Sequence, residues 1–538
     1  MTSIRLKIAM MAVLVLAAAL RLRHIDFGLP ALNDPDELMF EMGAIRMLRT
    51  GTLNPGWFGH PATTTMYVLA LVDLIVFGVG YVTGHFASPT AFADAVFADP
   101  TLVILPGRIV MAAFGVLSVW LTMRLADELL DRKVALGAGL VLAVSPLAVT
   151  WAQVIRSDIM ATSFLLACLI ATARHAREPS NSRFVWAAVW LALAVATKWP
   201  FALGALPMIA VLLNRWSKGE ASFRESLARV AAFGALTLAL LLLISPYLVL
   251  DHETLWRNLQ GEAQAHHLGA TGGSPWQNLV WYGQGPVLNG LGLSGSLLAI
   301  WGLWLIARHG FAARILLPVL LGFIMVLAAQ HLVWDRWALP LLPLMAIALG
   351  AAASRVASRV ASLGFRAQRL ALPVILTGVA APLAAAALDR TEARAEDTRQ
   401  AASAWALGNI PPGSTVLIEQ FAFDLQAAPW RILFPMGDAG CVDAKAMLAG
   451  KIDYATIEAA RGSRAIVDYG TLAPERASSC TADYAIIAQY DRYAAESDRF
   501  AGELRMYQTL LQQGQERVVL RPQENAPRSG PVVRIISF

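Results

Sequence analysis

The sequence predicts a polytopic α-helical membrane protein that ends in a soluble α/β domain. Hydrophobic residues make up 57% of the 538 residues and charged residues only 15%, whereas a soluble domain has about 45–50% apolar and about 25% charged residues. Several apolar runs approach the roughly 20 residues that cross a bilayer; they lie at 8–20, 134–150, 227–250, 315–329 and 371–388.

Basic residues set the predicted orientation. The net charge is +5, but Lys and Arg occupy short gaps between apolar runs rather than one patch, which argues against nucleic acid as a partner. Basic loops of this kind face the cytoplasm. We therefore predict a cytoplasmic N-terminus, an extracytoplasmic C-terminus and about eleven spans of bilayer length, near 8–22, 105–128, 134–151, 157–174, 183–198, 200–214, 227–248, 290–307, 314–330, 337–354 and 370–388.

One apolar segment, 63–83, does not fit this alternation. A single crossing there would place the later basic loops outside, and Asp73 in its middle would cost at least about 2.5–3.5 kcal/mol at the bilayer centre. We predict an interfacial or re-entrant helix within a large first outer loop, 22–104. The alternative is a true span paired with a second crossing in 85–104.

The C-terminal part, 391–538, is predicted to be an extracytoplasmic α/β domain that follows a membrane domain at 1–390. Helical stretches alternate with strand-like runs, which lie at 414–418, 464–467, 484–488 and 532–536. No glycine-rich phosphate-binding motif occurs in the chain. Cys441 and Cys480 would form a disulfide in an oxidising compartment; two free thiols are the alternative.

The predicted outer loops carry the unusual polar residues. The carboxylates Asp36, Glu37 and Asp158 are candidate catalytic groups. Candidate phosphate contacts are basic or imidazole side chains, namely His60, Arg156, Lys198, His266, His267 and Arg336. Each has an ordinary interpretation as well: a solvated first loop capped by Asp34, snorkelling cations, a local Arg156–Asp158 ion pair, or plain loop histidines.

Together these residue types favour one chemistry. A carboxylate can deprotonate an acceptor hydroxyl, and cations stabilise a phosphate leaving group whose charge grows in the transition state. At headgroup level this combination suits a lipid-phosphate-linked donor. A transporter or flippase is the alternative, but it would need ionisable groups at mid-span. A third possibility is a non-catalytic membrane scaffold or a lipid–carbohydrate ligase of another fold.

The order of short motifs over residues 1–390 resembles that of the GT-C membrane glycosyltransferases, particularly the family 39 protein-mannosyltransferase-like and aminoarabinose-transferase-like proteins of bacteria. The motifs are Asp36-Glu37, His60-Pro61, Gly107 to Gly115 (Gly-Arg-Ile-Val-Met-Ala-Ala-Phe-Gly), Ser145-Pro146, Arg156-x-Asp158, Thr197-Lys198, Ser245-Pro246 and Arg336-x-x-x-Pro340-x-x-Pro343.

The resemblance implies an inverting transfer of a hexosyl or pentosyl group from a polyprenyl-phosphate donor, on the periplasmic face of the inner membrane. The acceptor would be a glycan, lipid or protein. Asp36 matches the catalytic carboxylate with Glu37 beside it, and Asp158 matches the second acidic position. Lys198, Arg336 and Arg156 match phosphate contacts, and His266 or His267 matches a histidine-containing stretch.

Two points complete what the resemblance implies. Many relatives have two prolines after the histidine of the juxtamembrane helix, whereas here Pro61 is followed by Ala62. No cofactor is certain, and a divalent metal (Mg, Mn or Zn) held by Asp36, Asp158 and a histidine is one option, since carboxylates and imidazole suit these ions.

Overall fold

Long helices build the first part of the computed structural model, which describes residues 3–361, 365–419, 422–449, 451–461, 466–523 and 528–538. The helices of this part are α1 (Ser3–Leu22), α2 (Pro35–Thr50), α3 (Thr63–Val82), α4 (Pro89–Ala98), α5 (Thr101–Leu129), α6 (Arg132–Val144), α7 (Pro146–Ala152), α8 (Ser157–Arg177), α9 (Asn181–Thr197), α10 (Leu206–Ser217), α11 (Phe223–Ile244), α12 (Tyr247–Leu250), α13 (His252–Glu262), α14 (Pro275–Tyr282), α15 (Leu288–Ala307), α16 (Gly310–Ala329), α17 (Leu341–Ala361) and α18 (Phe365–Ala395).

Helix occurs at each of the eleven predicted span positions. Within the described residues, eight helical segments are long and apolar enough to cross a membrane, or nine if α6 and α7, bent by 62°, form one broken span. The predicted segment 183–198 is the shorter helix α9, and 200–214 is a 3-10 turn (Trp199–Ala205) followed by α10. Pro200 and Pro207 explain that break, because proline cannot continue the hydrogen-bond ladder.

The surroundings of helix α3 differ from those that its apolar sequence suggests. It is a continuous helix that meets the length and composition of a span. Asp73, however, is buried against the protein at 1% exposure, next to the equally buried Glu41 of α2. At the far end, Phe77 packs on Phe92 of α4 with ring centroids 5.6 Å apart, and α4 leads directly into α5. The interfacial or re-entrant placement of α3 stays a prediction.

Small residues let the central helices approach one another closely, as in other membrane bundles. A Cβ added to Gly302 of α15 would lie 1.8 Å from the carbonyl oxygen of Ala348 in α17. A Cβ added to Gly350 of α17 would lie 2.7 Å from the carbonyl oxygen of Val134 in α6. This packing fixes the helix ends that carry the polar residues.

A six-stranded mixed sheet organises the C-terminal domain. Its strands are β1 (Thr415–Ile418), β2 (Arg431–Pro435), β3 (Cys441–Asp443), β4 (Tyr484–Ile487), β5 (Gln515–Leu520) and β6 (Val533–Ser537), in the order β3-β2-β1-β4-β6-β5. Strand β1 is parallel to β2 and β4, and the other pairs are antiparallel. Around it lie α19 (Thr398–Asn409), α20 (Ala444–Leu448), α21 (Tyr454–Ala460), α22 (Tyr490–Ala495) and α23 (Ala501–Gln513).

Three of the predicted strand runs form β1, β4 and β6. The fourth run, 464–467, lies partly outside the described residues, and its last two residues are not in a strand. A disulfide joins Cys441 of β3 to Cys480, and Cys168 is a buried free cysteine.

Hydrogen bonds attach this domain to the loop that follows α1. Gln400 of α19 and Asn33 exchange two side-chain hydrogen bonds of 2.8 and 2.9 Å, and Arg399 donates to the Asn33 carbonyl oxygen at 2.6 Å. The sheet domain therefore lies on the same side of the helical bundle as the loop that carries Asp36.

Candidate active site

One arginine holds two carboxylates at the start of α2. Asp34 caps this helix by accepting a hydrogen bond from the Asp36 N–H at 3.1 Å. Arg156 precedes α8 and donates to Asp34 at 2.7 Å and to Asp36 through its other terminal nitrogen. The Asp36 side chain remains 46% exposed while that of Arg156 is 6% exposed, so the Asp36 carboxylate is fixed in place and open to a ligand.

The positive charges around Asp34 oppose the effect of burial on its pKa. Burial alone would raise its pKa, but Arg156 and then Arg336 outweigh that effect and hold the pKa of this carboxyl below its usual value. Asp34 therefore stays ionised beside Asp36, where it helps to hold Arg156.

Glu37 has a different environment from its neighbour. Its side chain is fully buried and forms a bidentate ion pair with Arg108 of α5, at 2.9 and 2.6 Å. It also accepts a hydrogen bond from the Ile155 N–H at 2.9 Å. The prediction that Glu37 acts in catalysis is not supported by this geometry, because all of its contacts tie α2 to α5 and to the segment before α8.

Lys198 and Asp158 form a buried pair. Lys198 follows α9, Asp158 lies in the first turn of α8, and the Lys198 ammonium donates to the carboxylate at 2.5 Å. Their side chains are 6% and 2% exposed. Asp158 is thus too enclosed to receive a proton from an acceptor, and it serves as the counter-ion that keeps a buried cation in the site.

An isolated β-bridge brings His60 to this pair. Pro61 bridges Lys198, the Ala62 N–H donates to the Thr197 carbonyl oxygen at 3.2 Å, and the Trp199 N–H donates to the His60 carbonyl oxygen at 2.7 Å. Burial, and then Lys198, Arg336 and Arg156, lower the pKa of His60 well below its usual value. The imidazole is therefore neutral at physiological pH.

Arg336 lies in the same group of charges. It is 6% exposed, and its guanidinium stacks on Trp334 and Trp151 at 4.3 and 5.6 Å from the ring centroids. Burial and the neighbouring Arg156 lower its pKa. Within the part of the chain that the structure describes, the guanidinium has no carboxylate partner and its Nε has no hydrogen-bond acceptor. A buried cation of this kind calls for an anion.

The two predicted loop histidines lie beside this cluster rather than in it. His267 donates a hydrogen bond from Nδ1–H to the Leu268 carbonyl oxygen at 3.0 Å, and its ring centroid lies 5.0 Å from that of Trp334. Both histidines line a neighbouring cavity that faces the sheet domain.

The sequence analysis assigned no role to three contributors. Glu262 reaches Gly59, and burial, and then Asp36, raise its pKa. Trp151 stacks against Arg336. Arg108 forms the ion pair with Glu37. Glu262 lies in the same loop as the histidines, but no motif distinguishes it. Arg108 stands in a run that resembles the family pattern, yet its partner is far away in sequence.

The residues present do not fit a divalent metal. Asp36 is bound to Arg156 and Asp158 to Lys198, so each carboxylate already has a cationic partner. Among the described residues, no group of three His, Cys, Asp or Glu side chains could hold a metal ion.

Comparisons with known proteins agree with this architecture. Residues 91–249, which carry Arg156, Asp158 and Lys198, match the family described as dolichyl-phosphate-mannose-protein mannosyltransferase. No curated protein sequence matches the chain significantly.

Solved structures resemble the chain over most of its length. ArnT from Cupriavidus metallidurans in the apo state has 16% identity and a TM-score of 0.58, with 100% of this chain and 98% of that chain covered. ArnT from the same organism bound to undecaprenyl phosphate has 15% identity and a TM-score of 0.56, and the match covers 100% of this chain and 98% of that chain.

A third structure, the Archaeoglobus fulgidus oligosaccharyltransferase with Zn and sulfate, gives 13% identity, a TM-score of 0.51, and coverage of 92% of this chain and 70% of that chain. The chain therefore has the GT-C fold, and the resemblance to GT-C membrane glycosyltransferases of the mannosyl and aminoarabinose transferase type is confirmed.

Proposed function

We propose that this chain is an inverting glycosyltransferase that moves a hexosyl or pentosyl group from a polyprenyl-phosphate donor to an acceptor hydroxyl. The observation that carries the proposal is the buried guanidinium of Arg336, which has no anionic partner among the described residues, beside the half-exposed carboxylate of Asp36. Two similar solved structures hold undecaprenyl phosphate and dolichol-phosphate, which supports a donor of this class.

The chemistry needs one base and one anion-binding group. The acceptor oxygen attacks the anomeric carbon and passes its proton to the Asp36 carboxylate. The bond between that carbon and the phosphate oxygen breaks, and the charge that develops on the phosphate is stabilised by Arg336 and Lys198. The neutral His60 can donate one N–H to the same phosphate. A single displacement inverts the anomeric centre.

The supporting residues keep these groups in place. Arg156 and Asp34 orient Asp36, Asp158 holds Lys198, and Glu37 with Arg108 positions the start of α2. This arrangement costs little reorganisation during the reaction, because the charged groups are already paired and aimed.

The site lies at helix ends rather than at mid-span. Asp36 begins α2, Arg156 precedes α8, Lys198 follows α9 and Arg336 follows α16. This supports a one-sided enzyme over a transporter or flippase, whose ionisable groups lie near the bilayer midplane. We further propose that this side is periplasmic, with the N-terminus cytoplasmic in the inner membrane, because the basic loops lie on the other side.

The test replaces the proposed base. Asp36→Asn should lower sugar transfer by about 10²–10⁴-fold, the contribution typical of a positioned base, while the protein still inserts and folds. Mass spectrometry of lipid-linked sugars and envelope glycans should show the donor accumulating and a glycosylated product disappearing.

The control is Asp94→Asn, which makes the same change at an exposed position of α4 and should behave as wild type. Wild-type turnover in Asp36→Asn would remove the mechanism.

A further inference from the structure

A second cavity lies between the outer loop after α12 and the C-terminal domain. Its volume is about 570 Å³, and α13 and the residues after it form one wall. The opposite wall comes from the C-terminal domain, through Thr471, Tyr493, Phe500 and Glu503. The mechanism proposed above uses none of these side chains.

The two walls are fixed to each other. Leu268, just after the two histidines, is fully buried and belongs to the core of the sheet domain. Arg492 donates to the Leu268 carbonyl oxygen at 3.0 Å, and the Gly269 N–H donates to Glu496 at 2.6 Å. The cavity is therefore a built feature of the fold, because its loop is anchored in the domain.

The cavity also borders the proposed donor site. His267 lines it and contacts Trp334 at 5.0 Å, and Trp334 stacks on Arg336. Backbone hydrogen bonds continue this connection, from the Gly272 N–H to the His331 carbonyl oxygen at 2.7 Å and from the Val333 N–H to the Ala270 carbonyl oxygen at 2.8 Å. Two side chains, His267 and Trp334, therefore connect the cavity to Arg336.

The lining side chains suit a polyol. The side chains of Gln260, His266 and Glu503 form no hydrogen bond with any other residue that the structure describes, so their side-chain donors and acceptors are free for hydroxyl groups. Phe500 is half-buried and supplies an apolar surface. The Tyr493 ring packs against it, with the two ring centroids 5.6 Å apart. Amides, a carboxylate and an aromatic surface in one cavity recognise the hydroxyls and the apolar faces of a sugar ring.

We infer that this cavity binds the acceptor and that the acceptor is a glycan, whose terminal hydroxyl then reaches Asp36. The inference rests on the proposed glycosyltransferase function and adds the acceptor class. An acyl chain would leave the amide of Gln260 and the carboxylate of Glu503 without hydrogen-bond partners in the cavity. A peptide that binds by adding a strand needs a sheet edge, and the lining residues lie on helices and loops.

The experiment identifies the occupant by cross-linking in the native membrane. The full chain carries p-benzoylphenylalanine at Gln260, or at His266 in a second variant, and is irradiated, purified and digested. Mass spectrometry of the modified peptide should show a series of sugar residues. A peptide adduct, an acyl-chain adduct, or no adduct in protein that still transfers sugar would overturn the inference.

The matched control places the same photoreactive residue at Gln512, on the opposite face of α23 from Glu503. It should give no sugar adduct.

A kinetic test separates this inference from the function itself. Gln260→Ala combined with Glu503→Ala should reduce sugar transfer at limiting acceptor by about tenfold, equivalent to about 1.4 kcal/mol of binding. The stabilisation of the protein by added undecaprenyl phosphate should not change. Wild-type transfer in this double variant with loss in Asp36→Asn overturns the cavity alone, whereas wild-type transfer in Asp36→Asn overturns the glycosyltransferase.

Discussion

Neighbouring residues of one motif have different tasks in this site. Asp36 and Glu37 are adjacent carboxylates, and the sequence predicts the same role for both. Successive residues of an α-helix point about 100° apart, so Asp36 stays half-exposed beside Arg156 while Glu37 faces Arg108 in the bundle. The chemical class of a side chain could be predicted from sequence, but its direction could not, because the helix phase depends on packing.

The residues that were predicted as phosphate contacts divide in a similar way. Arg156, Lys198 and Arg336 are brought together with His60, although they come from distant parts of the chain. His266 and His267 are not part of that cluster. Their place is determined by Leu268, which inserts into the sheet domain, and no local pattern reveals a long-range anchor.

Arg336 leads to a prediction at this scale. Arg336→Gln should lower the apparent affinity for undecaprenyl phosphate by about 10- to 100-fold, since a hydrogen bond to a charged group contributes about 1.5–3 kcal/mol. The ligand should then stabilise the protein less at each concentration. Stability without the ligand should rise or stay the same, because a buried cation without a partner is removed. The measurement is thermal denaturation of the purified protein over a range of undecaprenyl phosphate concentrations.

Arg308 provides the control for that experiment. It also stacks on a tryptophan, with its guanidinium 3.5 Å from the Trp304 centroid, but it lies at the other end of α15 from the site. Arg308→Gln should leave the response to undecaprenyl phosphate unchanged. An undiminished response in Arg336→Gln would show that this side chain does not contact the phosphate.

At the scale of elements, hydropathy predicted where the helices lie in the chain, but it did not predict which residues pack around them. A helix forms at every predicted span because each apolar run is long, although proline interrupts two of these spans, at Pro146 and Pro200. Helix α3 shows the limit: the sequence places Asp73 in an apolar run, and the fold covers it with Glu41 of α2. That pairing depends on how α2 and α3 pack, which no window along the chain contains.

The Glu37–Arg108 pair makes a prediction about α2. Glu37→Gln leaves a buried guanidinium without its counter-ion, a change that typically costs about 3–5 kcal/mol. We expect a lower midpoint of thermal denaturation, with turnover falling only as far as the folded fraction falls. Asp36→Asn should show the opposite pattern, an unchanged midpoint with turnover lost.

The two neighbours therefore serve as controls for each other in one assay of the purified protein. A Glu37→Gln protein with a wild-type midpoint and no turnover would show that Glu37 takes part in the reaction and that its role is not structural.

At the scale of the whole molecule, the sheet domain and the membrane domain form a single site. The domain holds the first loop through Asn33 and the later loop through Leu268, and both loops border the cluster of charges. The sequence predicted the domain and three of its six strands, β1, β4 and β6. It could not predict these attachments, because they join residues that are far apart in the chain and chemically ordinary.

A buried acid in the sheet domain gives a pH-dependent prediction. Glu419 accepts hydrogen bonds from Tyr469 N–H and Ala488 N–H at 3.0 and 2.9 Å. Burial, and then the nearby Asp468, raise its pKa to about 7. Because the folded domain favours the protonated acid, this group adds stability at low pH, and that stability is lost as pH rises toward 7.

We expect the sheet domain to become more sensitive to proteolysis on heating as the pH rises from about 5 to 7.5, a range that brackets this titration. Peptides from β1 and β4, followed by mass spectrometry, report the opening of the domain. Glu419→Gln, which is always neutral, should reduce the dependence to the part that remains from Asp468, whose pKa burial raises to about 6, whereas Glu475→Gln at an exposed position should keep it in full. An equal slope in Glu419→Gln and wild type would assign the dependence to other groups. Since Leu268 belongs to the same core as Tyr507, whose hydroxyl donates to Glu419, opening of this core should also release the loop that borders Arg336.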